Sequence, residues 1–164
     1  MPVGKITPGK TEYDIYPDHD LGCGKVHDSY GELARRVAGC GTVVVDGYVG
    51  VDFDRFVSDL NSALVDLGVK AVWWRVDSAM KPSAEVDRLI APYLGGDDPI
   101  FGFRASDLSL EDFFDMEALR SISPDPSAGL NIIVGTGASL SGWKGTLLYL
   151  DIPKNEIQFR SRAG

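Results

Sequence analysis

Thr42-Val43-Val44-Val45-Asp46-Gly47-Tyr48-Val49-Gly50-Val51-Asp52-Phe53-Asp54 is the stretch that decides the fold. Residues 42 to 45 are a β-branched run with no polar residue inside it, the composition of a strand covered on both faces in a parallel sheet. A glycine-bearing turn follows. Asp52 then offers a helix N-cap, and Phe53, Phe56, Val57, Leu60, Leu64 and Leu67 recur at helical spacing, with Asp54, Arg55, Asp59, Asn61 and Asp66 turned outward and Gly68 as the stop. Strand, glycine turn and helix N-terminus are the physical parts of a phosphate cradle, because unpaired N–H groups and the positive helix end face one point.

The same strand-then-helix alternation continues outward. Lys70 to Val76 reads as a second strand, and Ser83 to Leu94 as a helix with Val86, Leu89, Ile90 and Tyr93 inward. A Gly/Asp/Pro-rich loop spans Gly95 to Asp107. Ser109 with Asp112 forms a cap signal leading into a third helix that runs through Phe113, Phe114 and Leu119 to about Ser121. Leu130 to Val134 and Thr146 to Ile152 are further strands. Upstream, Ser29 with Glu32 caps a short helix carrying Tyr30, Leu33, Ala34 and Val37, ended by Gly39. Strands separated by helices call for parallel pairing, so the expectation is an α/β three-layer sandwich over residues 30–164. Residues 1–29 read as an extended arm with a Tyr13, Ile15, Tyr16 patch. Lys154 to Gly164 start a helix behind Pro153, and the absence of a terminal cap suggests a module cut from something longer.

Composition narrows the partners. The 164 residues are 44% hydrophobic and 24% charged, which suits one compact domain. A net charge of -8 repels nucleic-acid backbones and anionic lipid, so neither nucleic acid nor membrane is expected as a partner. No apolar run is long enough to span a bilayer, and residues 1–10 lack the apolar core of a signal peptide. Cys23 and Cys40 match no metal spacing and are too few for a disulfide scaffold, which favours a reducing cytoplasm. His19 and His27 fall in the arm at a separation that matches no common ligand set, so no metal site is expected.

Candidate chemistry lies at the strand ends, where open parallel sheets hold their ligands. Gly47, Tyr48, Gly50 and Asp52 line the first turn. A nucleotide-binding phosphate loop places Gly, Lys and Ser or Thr where Asp52, Phe53 and Asp54 stand, so two carboxylates replace a cation and a hydroxyl. A plain strand-to-helix turn with an Asp cap describes the segment as well. Asp77 ends the second strand as a candidate general base, and Lys81 is a candidate phosphate contact, although Asp77-Ser78 also suits a turn. Gly135, Thr136 and Gly137 allow close backbone approach after the third strand, and Thr136 or Ser139 offers a donor to an anion. The Gly95 to Arg104 loop has the makeup of a binding rim or, equally, of a solvated turn with Phe101 and Phe103 plugging the core. Arg160 and Arg162 follow the last strand within reach of a phosphate, while Trp73, Trp74 and Trp143 suit a core or an interface.

Taken in order, these strand ends resemble the uridine kinase-like branch of phosphate-loop kinases, here without a standard Walker A motif. That resemblance implies a catalytic-base role for Asp77 and a lid for the arginines after the last strand. Longer runs, Val45 to Asp52, Gly95 to Gly102, Leu108 to Phe114 and Asp151 to Gly164, are similar to the N-terminal region of bacterial class I mannose-6-phosphate isomerase-like proteins. In those chains a kinase-like domain precedes a cupin-type region that carries zinc, so this segment is expected to hold no cofactor and no isomerase site of its own. The leading expectation is a binding, regulatory or assembly module, with a sugar phosphate near Asp77, Lys81 and Thr136, and with self-association or contact to the C-terminal region. The alternative is a sugar or nucleoside kinase in which Asp52 or Asp54 holds magnesium and Arg160 or Arg162 supplies the cation. A third reading is an interaction domain that pairs through its tryptophans.

Overall fold

A computed structural model describes residues 22–96 and 102–163, the side chains of residues 160, 161 and 163 excepted. Four strands, β1 (Thr42–Gly47), β2 (Ala71–Arg75), β3 (Leu130–Val134) and β4 (Thr146–Leu150), form one sheet in the order β2-β3-β1-β4. Every pairing is parallel, with Val44 opposite Ile133 on one side and Leu147 on the other. The helices are α1 (Tyr30–Val37), α2 (Phe53–Asp66), α3 (Ser83–Ile90), α4 (Met116–Ser121) and α5 (Lys154–Ala163).

Strand alternation divides the core into two layers. Val43, Val45 and Ile132 pack with Ala34 of α1 and with Phe56, Leu60 and Leu64 of α2. Val44 and Ile133 point the other way, against Leu119 of α4 and against Val76, Phe114 and Ala138 from the connecting segments. The expected three-layer α/β sandwich is therefore what the chain forms. Each fully buried leucine of α2 contributes about 1.5–3 kcal/mol by leaving water.

Several boundaries differ from the expectation. The α2 stripe holds except at Leu67, which is exposed at the helix end. The helix expected from Ser83 to Leu94 stops at Ile90 and tightens into a 3-10 turn over Ala91–Tyr93, because Pro92 has no N–H to continue the ladder. The helix expected to run from Ser109 to Ser121 is split. A 3-10 turn covers Leu110–Phe113, then Phe114 bridges Met80 as a single antiparallel pair, with the Asp115 N–H donating to Ala79 O and the Lys81 N–H to Phe113 O. Asp115 then caps α4 by accepting from the N–H groups of Glu117 and Ala118.

The three tryptophans are half-buried, and each indole N–H has a partner within the fold. Trp73 Nε1 donates to Asn61 at 3.0 Å, Trp74 Nε1 to the buried Asn131 at 3.2 Å, and Trp143 Nε1 to Ile122 O at 2.7 Å. Trp74 and Trp143 meet edge to face at 6.2 Å. No helix among the described residues is long and apolar enough to cross a membrane. Of the expected arm, residues 1–21 lie outside the described residues, as do Tyr13, Ile15, Tyr16 and His19.

Gly145 sets the approach of the chain to the sheet. A Cβ there would lie 2.4 Å from Thr42 O, whereas one at Gly129 would meet nothing within 4 Å. Gly145→Ala is expected to lower unfolding free energy by about 1–3 kcal/mol, as overpacking does, and Gly129→Ala to leave it nearly unchanged; urea denaturation of the two variants checks this.

Candidate functional site

From β1 the chain passes through α2 to β2, beyond β3; from β3 it passes to β4, beyond β1. The two central strands thus send their connections in opposite directions, and the crevice between their carboxyl ends is where this class of sheet accepts ligands. Asp46 sits there. It has the same phase along β1 as Val44, so its side chain leaves the sheet on the α4 side, and the residue is only 7% exposed.

The Asp46 carboxylate accepts four hydrogen bonds. Its Oδ1 takes the N–H of Gly47 at 2.8 Å and that of Gly137 at 2.8 Å; its Oδ2 takes the Ser139 N–H at 3.0 Å and a short bond from the Ser139 hydroxyl. Backbone donors that converge on one point after β3 make an anion-binding nest. In this protein the anion they hold is a side chain of the protein itself. In the sequence Asp46 reads as part of the turn, with no role of its own. The signal available was an acid in phase with the buried Val44, at the end of an apolar strand, opposite a Gly-Thr-Gly turn.

The glycines after β3 answer to packing. Gly135 and Gly137 have φ of 133° and 89°, and a Cβ on them would lie 2.5 Å from the Val76 side chain and 2.9 Å from the Phe114 ring. The Gly135 N–H donates to Val45 O, and Thr136 is half-buried between them.

Several backbone donors of the turn from β1 to α2 are engaged as well. The N–H of Tyr48 goes to Leu150 O, that of Val51 to Tyr48 O, that of Phe53 to Val51 O, and that of Arg55 to the Asp52 carboxylate at 2.9 Å. Gly47 is required because a Cβ would lie 2.8 Å from Leu150 O and 3.1 Å from the Phe53 ring. Tyr48 and Val49, at the tip of the turn, are exposed. Gly50, with φ of 95°, faces Ile157 of α5. A shallow cavity of about 350 Å³ beside this turn is lined by Asp52, Arg55, Asp151 and Glu156, three acids to one cation.

At the end of β2, Arg75 lies between two acids. Its Nη1 donates to Asp54 at 2.6 Å, and its Nε and Nη2 both reach Asp77 at 3.3 Å. Burial works against the guanidinium charge, but the bonds to Asp54 and the pull of Asp77 outweigh it and hold the pKa above the ordinary arginine value. Lys81 turns elsewhere, with Nζ donating to Asp112 O at 2.7 Å over a cavity of about 760 Å³ that also presents Glu85, Glu111 and Asp115. Asp77 and Lys81, expected with Thr136 around one sugar phosphate, thus engage different partners, Arg75 and Asp112 O. Arg162 is exposed on α5, and the Arg160 side chain lies outside the described residues, as do Asp97, Asp98, Pro99, Ile100 and Phe101. Phe103, a core plug in one of the two readings of its loop, is exposed. His27 contacts Gly24 O and Arg36, and no group of three His, Cys, Asp or Glu among the described residues is arranged to hold a metal.

These features define a parallel α/β domain whose strand-end crevice is bridged by its own carboxylate. The model of a family described as a domain of unknown function, DUF8485, matches residues 29–164, and the chain belongs to that family. No curated protein and no solved structure matches the chain.

Removing the bridge should be costly. Ser139→Ala deletes a bond to a charged acceptor and is expected to lower stability by about 1.5–3 kcal/mol, with Asp46→Asn costing more because its amide NH₂ or its single oxygen must face donors on both sides; urea unfolding measures both. A second expectation concerns Asp112, whose carboxyl is held below the usual carboxylate range first by the Ser109 N–H and then by the Ser109 hydroxyl. A lowered folded value stabilises the fold above the unfolded carboxylate pKa of about 3.9, and that contribution is lost as pH falls through the folded value. Ser109→Ala should raise the Asp112 pKa in an NMR titration.

Proposed function

We propose that this domain is a non-catalytic binding, regulatory or assembly module, built on the plan of a nucleotide-binding sandwich but without a nucleotide site of its own. One observation carries the reading. The donors that such a sheet presents to a ligand phosphate at its central crevice are held by the Asp46 carboxylate, and the neighbouring helix N-terminus is capped by Asp52. A triphosphate would have to displace two fixed negative charges from their bonds. The kinase alternative meets the same obstacle at its metal site, because Asp52 is engaged with Arg55 N–H and Asp54 with Arg75.

The similarity to mannose-6-phosphate isomerase-like proteins supports placing this module beside a cupin-type region, in a parent protein that interconverts aldose and ketose phosphates with zinc. In that setting the module supplies contacts rather than chemistry. Two cysteines without a disulfide, Cys23 exposed and Cys40 half-buried, accord with a cytoplasmic location for that parent.

Titration calorimetry with ATP and magnesium, mannose 6-phosphate and fructose 6-phosphate tests the reading. No magnesium-dependent ATP binding in the micromolar range is expected, and no ATP turnover above that of Asp77→Asn against a panel of sugars and nucleosides. Micromolar ATP binding, or turnover that Asp77→Asn abolishes, overturns it.

A further inference from the structure

The connection from β3 to β4 must step over β1, yet it comprises only residues 135–145 and contains one 3-10 turn, Ala138–Ser141. Parallel crossovers usually take a dozen or more residues and include a helix that covers the incoming strand. Here the turn covers the end of β1 and leaves β4 bare on that side. Leu148 and Leu150 pack inward against the α2 layer, whereas Leu147 and Tyr149, beside Val44 and Asp46 in the register, are 58% and 60% exposed.

Among the described residues β4 is also an edge strand, and its own sequence lacks the usual protection against pairing. No charge and no proline interrupts Thr146-Leu147-Leu148-Tyr149-Leu150. Its flanks have opposite sign, Lys144 before the strand and Asp151 after it, both exposed. The other edge, β2, differs on each count. Its last residue, Arg75, is held by Asp54 and Asp77, and all five of its residues are half-buried.

We infer that β4 is the interface with a second copy of this chain, the two β4 strands pairing antiparallel about a two-fold axis to make one continuous sheet. An isologous contact repeats every residue pair twice. With Leu148 on the axis, Leu147 of each copy faces Tyr149 of the other on the uncovered face, forming a four-residue apolar cluster from side chains now in water. Gly145 then lies opposite Asp151, so the flank that carries Lys144 in each copy comes beside the flank that carries Asp151 in the other. Charge sign thus selects the antiparallel arrangement, since a parallel one stacks like on like. The inference does not depend on the reading of the Asp46 crevice.

Sedimentation equilibrium from low to high micromolar concentration tests this, run near 0.15 M salt, where charges more than about 8 Å apart are screened. A reversible dimer is expected. Leu147→Lys, on an exposed position and verified as folded by circular dichroism, should weaken association by about tenfold or more. Lys144→Glu and Asp151→Lys should each weaken it, and the two together should restore it. A strict monomer throughout assigns the edge to some other occupant and overturns the inference. So does a dimer indifferent to Leu147→Lys, or a double charge exchange that fails to recover what the single changes lose.

Discussion

A buried carboxylate must find donors or leave the interior, and Asp46 finds them on a segment ninety-odd residues away. Placing such a charge out of water costs several kcal/mol unless hydrogen bonds replace its hydration. Four bonds do so here, and three of them come from Gly137 and Ser139. The consequence is mechanical. The carboxyl end of β1 is tied to the turn after β3, which fixes where the 3-10 turn Ala138–Ser141 lies and therefore where the chain must start toward β4. Replacing Asp46 by a residue without an acceptor leaves the N–H of the buried Gly137 unmatched.

That constraint connects to the unequal treatment of the two sheet edges. A crossover held close to β1 by Asp46, and closed by the tight contact of Gly145 with Thr42, has no length to spare for a helix over β4. On the opposite edge the chain between β2 and β3 has more than fifty residues, enough for α3, α4 and several 3-10 turns, and β2 is covered accordingly. Exposure of Leu147 and Tyr149 is thus the product of loop length and anchoring, two features that have nothing to do with the hydrophobicity of β4 itself.

Much of the architecture was legible because it rests on local pattern. The apolar run at residues 42–45, the α2 stripe and the glycine stops each report a neighbourhood of a few residues, and local chemistry decides them. The 3-10 and helical segments between 109 and 121 carry the local pattern of one helix, and the break is tertiary: Phe114 leaves the helical path to bridge Met80, a partner more than thirty positions earlier. Leu67 keeps the period of α2 yet is exposed because the helix ends before it. The bond from Lys81 Nζ to Asp112 O, thirty-one positions away, has no signal in the local sequence.

The strand-end site was the least legible part, and the reason is chemical. Glycine-rich strand ends are the signature of a ligand-accepting backbone, but the same glycines arise when the backbone is pressed against its own side chains. Gly47 abuts Phe53, Gly135 abuts Val76 and Gly137 abuts Phe114, so these positions lack a Cβ for internal reasons. Likewise, convergent N–H donors can serve an external phosphate or an internal carboxylate, but one set of donors cannot serve both. An acid in phase with the buried face of a central strand is therefore the residue that decides between the two, and Asp46 decides it here for the internal anion.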